Sequence, residues 1–263
     1  ATDLQLVVNL YSDADAASVC QSIINSPLLS SLLVNGAEGF LIQHTATMPP
    51  QFETALQTKR WTRLCSVSLY FKVSAAAFDR FTSSSDRLSS LALVCSTAPP
   101  QQQLQDAMRR HHSTLISLAA ITASADAAAP VEASSAESPA DTKSVSSEII
   151  SMHALKQLHL PAADHDALSG FSLPSLELLC LGDATRITHF DDFLDGLPRL
   201  TQLLLDSGAI VGVSPRTRAV PSLRKLHAPA SAFRTIARLF PNLSEADVFG
   251  QEAEDAAKVF EVL

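Results

Sequence analysis

The sequence predicts an α/β solenoid, in which stacked repeats form a curved parallel sheet and helices cover its convex side. Three observations predict this class: a leucine pattern returns at a nearly fixed period, prolines recur at one position in the period, and segments between copies show helical periodicity. Because one repeat is too small to bury its own leucines, neighbouring repeats must share an interior. A single domain, residues 1–263, is therefore expected.

The leucine pattern is Leu-x-x-Leu-x-Leu, which is typical of a leucine-rich repeat. Five copies follow each other at intervals of about twenty to twenty-five residues: Leu155/Leu158/Leu160, Leu176/Leu179/Leu181, Leu200/Leu203/Leu205, Leu223/Leu226/Ala228 and Leu243/Ala246/Val248. Weaker copies occupy the N-terminal half: Leu29/Leu32/Val34, Leu64/Val67/Leu69, Leu88/Leu91/Leu93 and Leu115/Leu118/Ala120. With a degenerate first strand near Leu4, about ten irregular repeats span residues 4–248.

Prolines mark the start of successive repeats independently of the leucines. Each lies two residues before the first leucine of a unit: Pro174, Pro198, Pro221 and Pro241. A proline there is expected to end the preceding helix and to lead an extended segment into the next strand.

The segments between strands show the periodicity of amphipathic helices. Residues 189–197 place Phe190, Phe193, Leu194 and Leu197 on one stripe. Residues 231–240 repeat that spacing, with Ser231 as the expected N-cap. Residues 16–24 and 75–81 give weaker versions of the same pattern.

Two segments interrupt the array, and a third follows it. Residues 37–60 contain no clear repeat, and residues 125–148 are rich in Ala, Ser, Pro and acids. The second segment is expected to be a disordered insertion; its simplest role is a tolerated loop, and regulation through its serines is the alternative. Residues 251–263 are expected to form an amphipathic helix that caps the last repeat.

Composition argues against several classes of function. The formal net charge is −8, and no basic cluster extends beyond Arg109-Arg110, which disfavours binding to nucleic acid or to a membrane surface. No apolar stretch is long enough to span a membrane, and no leader is visible, so an intracellular compartment (cytoplasm or nucleus) is expected. The cysteines are too widely spaced for a zinc site and are expected to be reduced thiols: Cys20, Cys65, Cys95 and Cys180.

Motifs for catalysis, phosphate binding or metal binding are absent from the sequence, so we expect neither an enzyme nor a cofactor. His111 and His112 are expected to lie at a solvated helix end. Asp191 and Asp192 follow the predicted start of a helix, where carboxylates interact favourably with the helix dipole.

The most informative positions are those between the leucines, which strand alternation directs outward onto the concave face. These outward residues are small in the N-terminal half and chemically mixed in the C-terminal half. The residues expected to bind a partner are Gln157, His159, Leu178, Cys180, Gln202, Leu204, Lys225 and His227. The alternatives are that these eight residues are ordinary outward positions, or that a loop covers Leu178 and Leu204. His159 and His227 should lie three strands apart, roughly 14 Å, which is too far to share one zinc ion.

The stretches LPSLELLCLGDA (173–184), LPRLTQLLLDSG (197–208) and VPSLRKLHAPA (220–230) resemble the irregular repeats of fungal F-box/leucine-rich-repeat proteins. The segment that begins at Arg60-Trp61 is similar to the tryptophan-led first repeat of that family. The resemblance implies substrate recognition for a ubiquitin ligase. In the family, a separate F-box binds a Skp-type adaptor. No segment here matches that motif, so the resemblance puts the adaptor contact outside this chain.

Together, these patterns predict a non-catalytic protein that recognises one or more protein partners through the concave face of a leucine-rich-repeat solenoid. The alternative is a structural subunit held permanently in a large multiprotein assembly.

Overall fold

The computed structural model describes residues 4–10, 25, 29–36, 54, 61–95, 99–122, 149–162, 168, 170–183, 185–214 and 219–250. Within these residues the protein is mixed α/β, as predicted, and most of its strands join one parallel sheet. The predicted features at residues 16–24, 37–60, 125–148 and 251–263 lie outside the described part, apart from residue 54.

The strands, numbered in chain order, are β1 (Leu4–Leu10), β2 (Leu29–Gly36), β3 (Ser66–Val73), β4 (Ser90–Cys95), β5 (Ser117–Thr122), β6 (Ile150–Ser151), β7 (Gln157–Leu160), β8 (Phe171–Ser172), β9 (Leu178–Leu181), β10 (Arg186–Ile187), β11 (Gln202–Leu205), β12 (Ile210–Val211), β13 (Lys225–Pro229) and β14 (Glu245–Phe249). Ten of them form one sheet in the order β1-β2-β3-β4-β5-β7-β9-β11-β13-β14. The short strands pair separately, β6 with β8 and β10 with β12, also in parallel.

The helices described are α1 (Ala75–Ser84), α2 (Gln101–Arg110), α3 (Phe190–Asp195) and α4 (Ala230–Ile236), the last continued by a 3-10 turn at Ala237–Leu239. The helices predicted near residues 75, 190 and 231 are therefore present. The predicted cap at Ser231 is wrong, because β13 runs directly into α4 and the helix begins one residue earlier, after Pro229. No side chain caps this helix end.

The leucines of successive units stack in register, as the repeat pattern requires. Leu158 pairs with Leu179, Leu179 with Leu203, and Leu203 with Leu226. Each of these four side chains is at most 2% exposed, and they belong to a core that continues from Trp61 to Phe240. Burying one leucine contributes about 1.5–3 kcal/mol, so this ladder is a main source of stability.

In the described part from residue 61 onward, six units begin with a four-residue turn that is closed by a backbone hydrogen bond. The N–H of the first leucine donates to the carbonyl three residues earlier, for example from Leu176 to Leu173 at 3.2 Å and from Leu200 to Leu197 at 3.2 Å. The recurrent proline occupies the second position of the turn, where its fixed φ is favourable. The turn therefore replaces the simple helix-to-strand transition predicted from the sequence.

The first residue of this turn is always apolar and buried, which the leucine pattern alone did not reveal. These residues are Trp61, Met152, Leu173, Leu197, Val220 and Phe240. Trp61 is 2% exposed, and its ring lies 5.6 Å from that of Phe81 in α1. It thus anchors its unit in the same way as the aliphatic residues at the equivalent positions.

Candidate protein-binding face

Two columns of side chains lie on one side of the main sheet, and together they define the outward face. The first column is Ser66, Ser90, Ser117, Gln157, Leu178, Gln202, Lys225 and Glu245. The second column is Ser68, Ala92, Ala119, His159, Cys180, Leu204, His227 and Asp247. All sixteen are half-buried or exposed, whereas the leucines between them are buried. The register therefore brings together all eight residues that the sequence singled out.

The outward face divides into two chemically different halves. Its N-terminal half, on β3, β4 and β5, consists of serines and alanines. Its C-terminal half, on β7, β9, β11, β13 and β14, carries imidazoles, leucines, a thiol, amides and charges. Among these sixteen positions, the larger and chemically more varied side chains thus lie in the C-terminal half.

Apolar side chains occupy the centre of this C-terminal half. Leu204 lies directly beside Cys180, and Leu178 lies beside Gln202 on the neighbouring strand. Both leucines are half-buried rather than buried. Neighbouring apolar side chains that face solvent are a common feature of interaction surfaces.

The Cys180 thiol is protonated at neutral pH. Burial, and secondly the nearby negative charge of Asp206, raises the pKa of this thiol to about 11. Since the thiolate is the nucleophilic form, Cys180 contributes apolar surface rather than reactivity. Burial also lowers the pKa of the half-buried His159, so its imidazole is neutral at pH 7.

Polar contacts between neighbouring strands border the apolar centre. Lys225 Nζ lies 2.6 Å from Glu245 Oε2, and His227 Nδ1 lies 2.8 Å from Asp247 Oδ2. The His227 ring also stacks on Phe249, with ring centroids 4.6 Å apart. Glu245 and Asp247 were not among the predicted site residues, although they follow Lys225 and His227 in the same two columns.

On the opposite border, Lys156 Nζ lies 3.2 Å from Glu177 Oε1. Beside it, the side chain of Ile116 is 46% exposed, and the carbonyl of Ile116 accepts a hydrogen bond from Lys156 N–H at 2.8 Å. Sequence reasoning missed Ile116. The signal that could have found it was an isoleucine directly after the first leucine of its unit, where other units carry Cys65, Ser89 and Thr201.

Two carboxylates follow the ends of β9 and β11, next to the outward face. Asp183 accepts the Gly208 N–H at 2.9 Å and the Ser207 hydroxyl at 3.2 Å. Asp206 follows Leu205, and its pKa is raised by partial burial and by the negative charge of Asp183, against a smaller opposing effect of His227. The two carboxylates therefore lie near each other at the carboxyl ends of these strands, and the Arg186 guanidinium donates to the backbone carbonyls of Asp183 and Gly208 beside them, at 2.9 and 2.8 Å.

The helical side of the sheet contains a cleft. It has a volume of about 410 Å³ and lies between α1 and α2, where Asp79, Thr82, Gln103 and Arg110 contribute to its lining. None of the predicted site residues lines it. Across the described ranges, no three His, Cys, Asp or Glu side chains are grouped so that they could hold a metal ion.

The structure corrects the interpretation of His111, which was expected to be solvated. Its side chain is 1% exposed, and Nε2 donates to the carbonyl of Thr82 at 2.8 Å because the end of α2 packs against α1. Its neighbour His112 is exposed, as predicted.

Comparisons with protein-family models, with curated protein sequences and with solved structures gave no match to this chain. In the described residues, no helix is long and apolar enough to cross a membrane.

Proposed function

We propose that the chain is a leucine-rich-repeat solenoid that recognises a protein partner through the C-terminal half of its outward face, on the concave side of the sheet. The observation that carries the proposal is the in-register ladder, which brings Leu178, Cys180, Leu204 and their charged neighbours onto one exposed surface. A parallel ladder of this kind presents many side chains over a long distance, which suits an extended protein surface better than a small substrate.

The division of the outward face supports the same proposal. Exposed apolar side chains bordered by polar and charged ones are the usual anatomy of a protein interface, with an apolar centre and a hydrated rim. The centre here is formed by Leu178 and Leu204, and the rim by the Lys156–Glu177 and Lys225–Glu245 pairs.

The test compares variants of the full-length natural protein, tagged and purified from its own cells, by the proteins that accompany each one. Leu178→Arg and Leu204→Arg should each remove the same specific partner, because both disturb the apolar centre. A matched control is Ile210→Arg, since Ile210 is 61% exposed but lies on β12, away from the outward face. Loss of the partner from the control alone would show that another surface binds it.

The resemblance to F-box/leucine-rich-repeat proteins suggests one specific use of this surface. We propose that the partner is a substrate presented to a ubiquitin ligase, with a Skp-type adaptor bound by a segment outside this chain. The adaptor should then accompany the natural full-length protein and stay with it when Leu204→Arg has removed the substrate. Absence of the adaptor would reject the ligase role and leave recognition by the outward face intact.

A further inference from the structure

Lysine and arginine side chains lie near the amino ends of the strands that carry the C-terminal half of the outward face. They already contact other residues of the chain. Lys156 pairs with Glu177 and Lys225 pairs with Glu245, at 3.2 and 2.6 Å. Arg224 donates to the backbone carbonyl of Asn242 at 2.9 Å. The charges of the two lysines are therefore balanced before any partner arrives, whereas Arg224 donates to a neutral carbonyl and keeps its charge.

At the carboxyl ends of the same strands, the balance between positive and negative side chains is different. Within the described ranges, no Lys or Arg forms an ion pair with Asp183, Asp206 or Asp247. The Asp183 carboxylate accepts the uncharged donors of Ser207 and Gly208, while the Arg186 guanidinium donates to the Asp183 backbone carbonyl at 2.9 Å. The Asp247 carboxylate contacts the imidazole of His227. Among the described residues, Asp206 is the carboxylate of this border without such a contact, so an approaching cation meets the negative charge of Asp206 there.

The negative border lies directly beside the apolar centre. Asp206 directly follows β11, two residues after Leu204, and its negative charge acts on the Cys180 thiol, so the carboxylate lies near the apolar centre. Leu178 and Cys180 lie on the adjacent strand. If an apolar side chain of a partner packs on Leu178 and Leu204, a cationic side chain next to it in the partner can reach the Asp206 carboxylate.

We propose that the C-terminal half of the outward face binds a protein segment in which a Lys or Arg lies close to an apolar side chain. The apolar side chain packs on Leu178 and Leu204, and the cation meets Asp206 beside Asp183. This inference rests on the proposed function and specifies the chemistry of its partner. Charge complementarity of this kind adds specificity and speeds association, and the contribution of an exposed pair weakens as salt is added.

The probe is a phage-displayed library of random twelve-residue peptides, selected on the purified full-length protein at low salt. Selected peptides are then synthesised and their dissociation constants measured by fluorescence anisotropy. We expect Lys or Arg next to Leu, Ile, Val or Phe to be enriched. Leu204→Ser should weaken binding by about tenfold or more, and Asp206→Asn by about threefold to fivefold, as expected for loss of a buried apolar contact and of an exposed ion pair.

Matched controls separate these effects from general loss of charge or apolar surface. Asp192→Asn removes an exposed carboxylate on α3, and Ile210→Ser removes an exposed apolar side chain on β12. Neither should change peptide affinity. Thermal unfolding of each variant checks that the fold is retained. If Asp206→Asn does not fold, the salt dependence of wild-type binding decides, because a contact between a cation and Asp206 must weaken as salt rises.

The remaining outcomes distinguish the inference from the proposed function. If the selected peptides lack basic residues but bind Leu204→Ser less tightly than wild type, the inference is rejected and binding by the outward face is supported. Peptides enriched in acids would reject the charge assignment. Selected peptides unaffected by both Leu204→Ser and Asp206→Asn, or the absence of any selected peptide, would contradict the proposed function as well.

Discussion

At the scale of single residues, Asp191 is the clearest case of a charge held inside the fold. Its side chain is fully buried, and its two carboxylate oxygens accept hydrogen bonds from Ser214, from the backbone N–H at 2.9 Å and from the hydroxyl at 2.7 Å. The sequence predicted an acid at the start of α3, which is correct. That the carboxylate also fixes a segment 23 residues away depends on the tertiary structure.

Replacing this buried carboxylate should be costly. Asp191→Ala leaves both donors of Ser214 buried without these acceptors, so we expect the free energy of unfolding to fall by about 2–3 kcal/mol. Asp192→Ala, at the exposed neighbouring position, should change it by no more than about 0.5 kcal/mol. Urea unfolding followed by circular dichroism measures both. Equal losses in the two variants would mean that the Ser214 contacts contribute little.

The buried imidazole of His111 should make stability depend on pH. Burial lowers its pKa from the ordinary 6.5, and Arg110 acts in the same direction, against the opposing effects of the Thr82 carbonyl and Asp86. The folded state therefore favours the neutral ring. Stability from this group is present above about pH 6.5 and is lost as pH falls below that value, because the unfolded chain binds the proton more readily.

His111→Gln tests this dependence, since glutamine can still donate to the Thr82 carbonyl but does not titrate. Between about pH 7.5 and pH 5, the wild type should lose more unfolding free energy than this variant. The half-buried His159 acts in the same direction and should leave a smaller residual slope. His112→Gln is the matched control at the exposed neighbour. Identical slopes for His111→Gln and wild type would remove His111 as the cause.

At the scale of elements, the spacing between successive units is set partly by glycine. A Cβ on Gly182 would overlap the backbone of Pro161, and one on Gly208 would lie 2.8 Å from the carbonyl oxygen of Asp183. Both glycines follow strand ends, where one unit passes closely over the unit before it. These positions therefore require the absence of a side chain rather than an unusual backbone angle.

Gly182→Ala should lower the free energy of unfolding by about 1–3 kcal/mol, because the overlap is with backbone atoms that cannot move aside cheaply. Gly196→Ala is the matched control: nothing lies within 4 Å of the position that its methyl group would occupy, and its φ of −74° suits alanine. That variant should be unchanged or more stable by up to about 1 kcal/mol. Thermal and urea unfolding compare the two. A neutral Gly182→Ala would show that neighbouring units can separate without cost.

At the scale of the whole molecule, a single apolar interior runs under the sheet, and adjacent residues of one strand have opposite environments. Leu203 is fully buried in this core, whereas Leu204 is half-buried on the outward face. Substitutions at Leu203 and at Leu204 therefore test separately the stability of the leucine ladder and the surface proposed to bind a partner.

Leu203→Ala should reduce the free energy of unfolding by about 2–5 kcal/mol, because it leaves a cavity in contact with the leucines of both neighbouring strands. Leu204→Ala should cost less than about 1 kcal/mol, since water already reaches this side chain. The comparison uses urea unfolding of both variants. A larger loss of unfolding free energy for Leu204→Ala than for Leu203→Ala would show that Leu204, rather than Leu203, belongs to the core.

The repeat period determined more about this protein than any other property of the sequence. It specified the strand order, the register of Leu158, Leu179 and Leu203, and the two outward columns, because each follows from alternation along a strand and equal spacing between units. The helices near residues 190 and 231 were predictable for a similar reason, since helical periodicity is a local property. The buried first residue of each turn was visible in the sequence, but only after the turn itself was known.

Other features were decided only by the tertiary structure. The burial of His111 and Asp191 and the close approach at Gly182 each depend on atoms twenty or more residues away in the chain. A sequence pattern specifies which side of a strand or helix a residue occupies. Outside the main sheet it does not specify which groups of neighbouring units meet or how closely they approach, and those distances determine burial and steric fit.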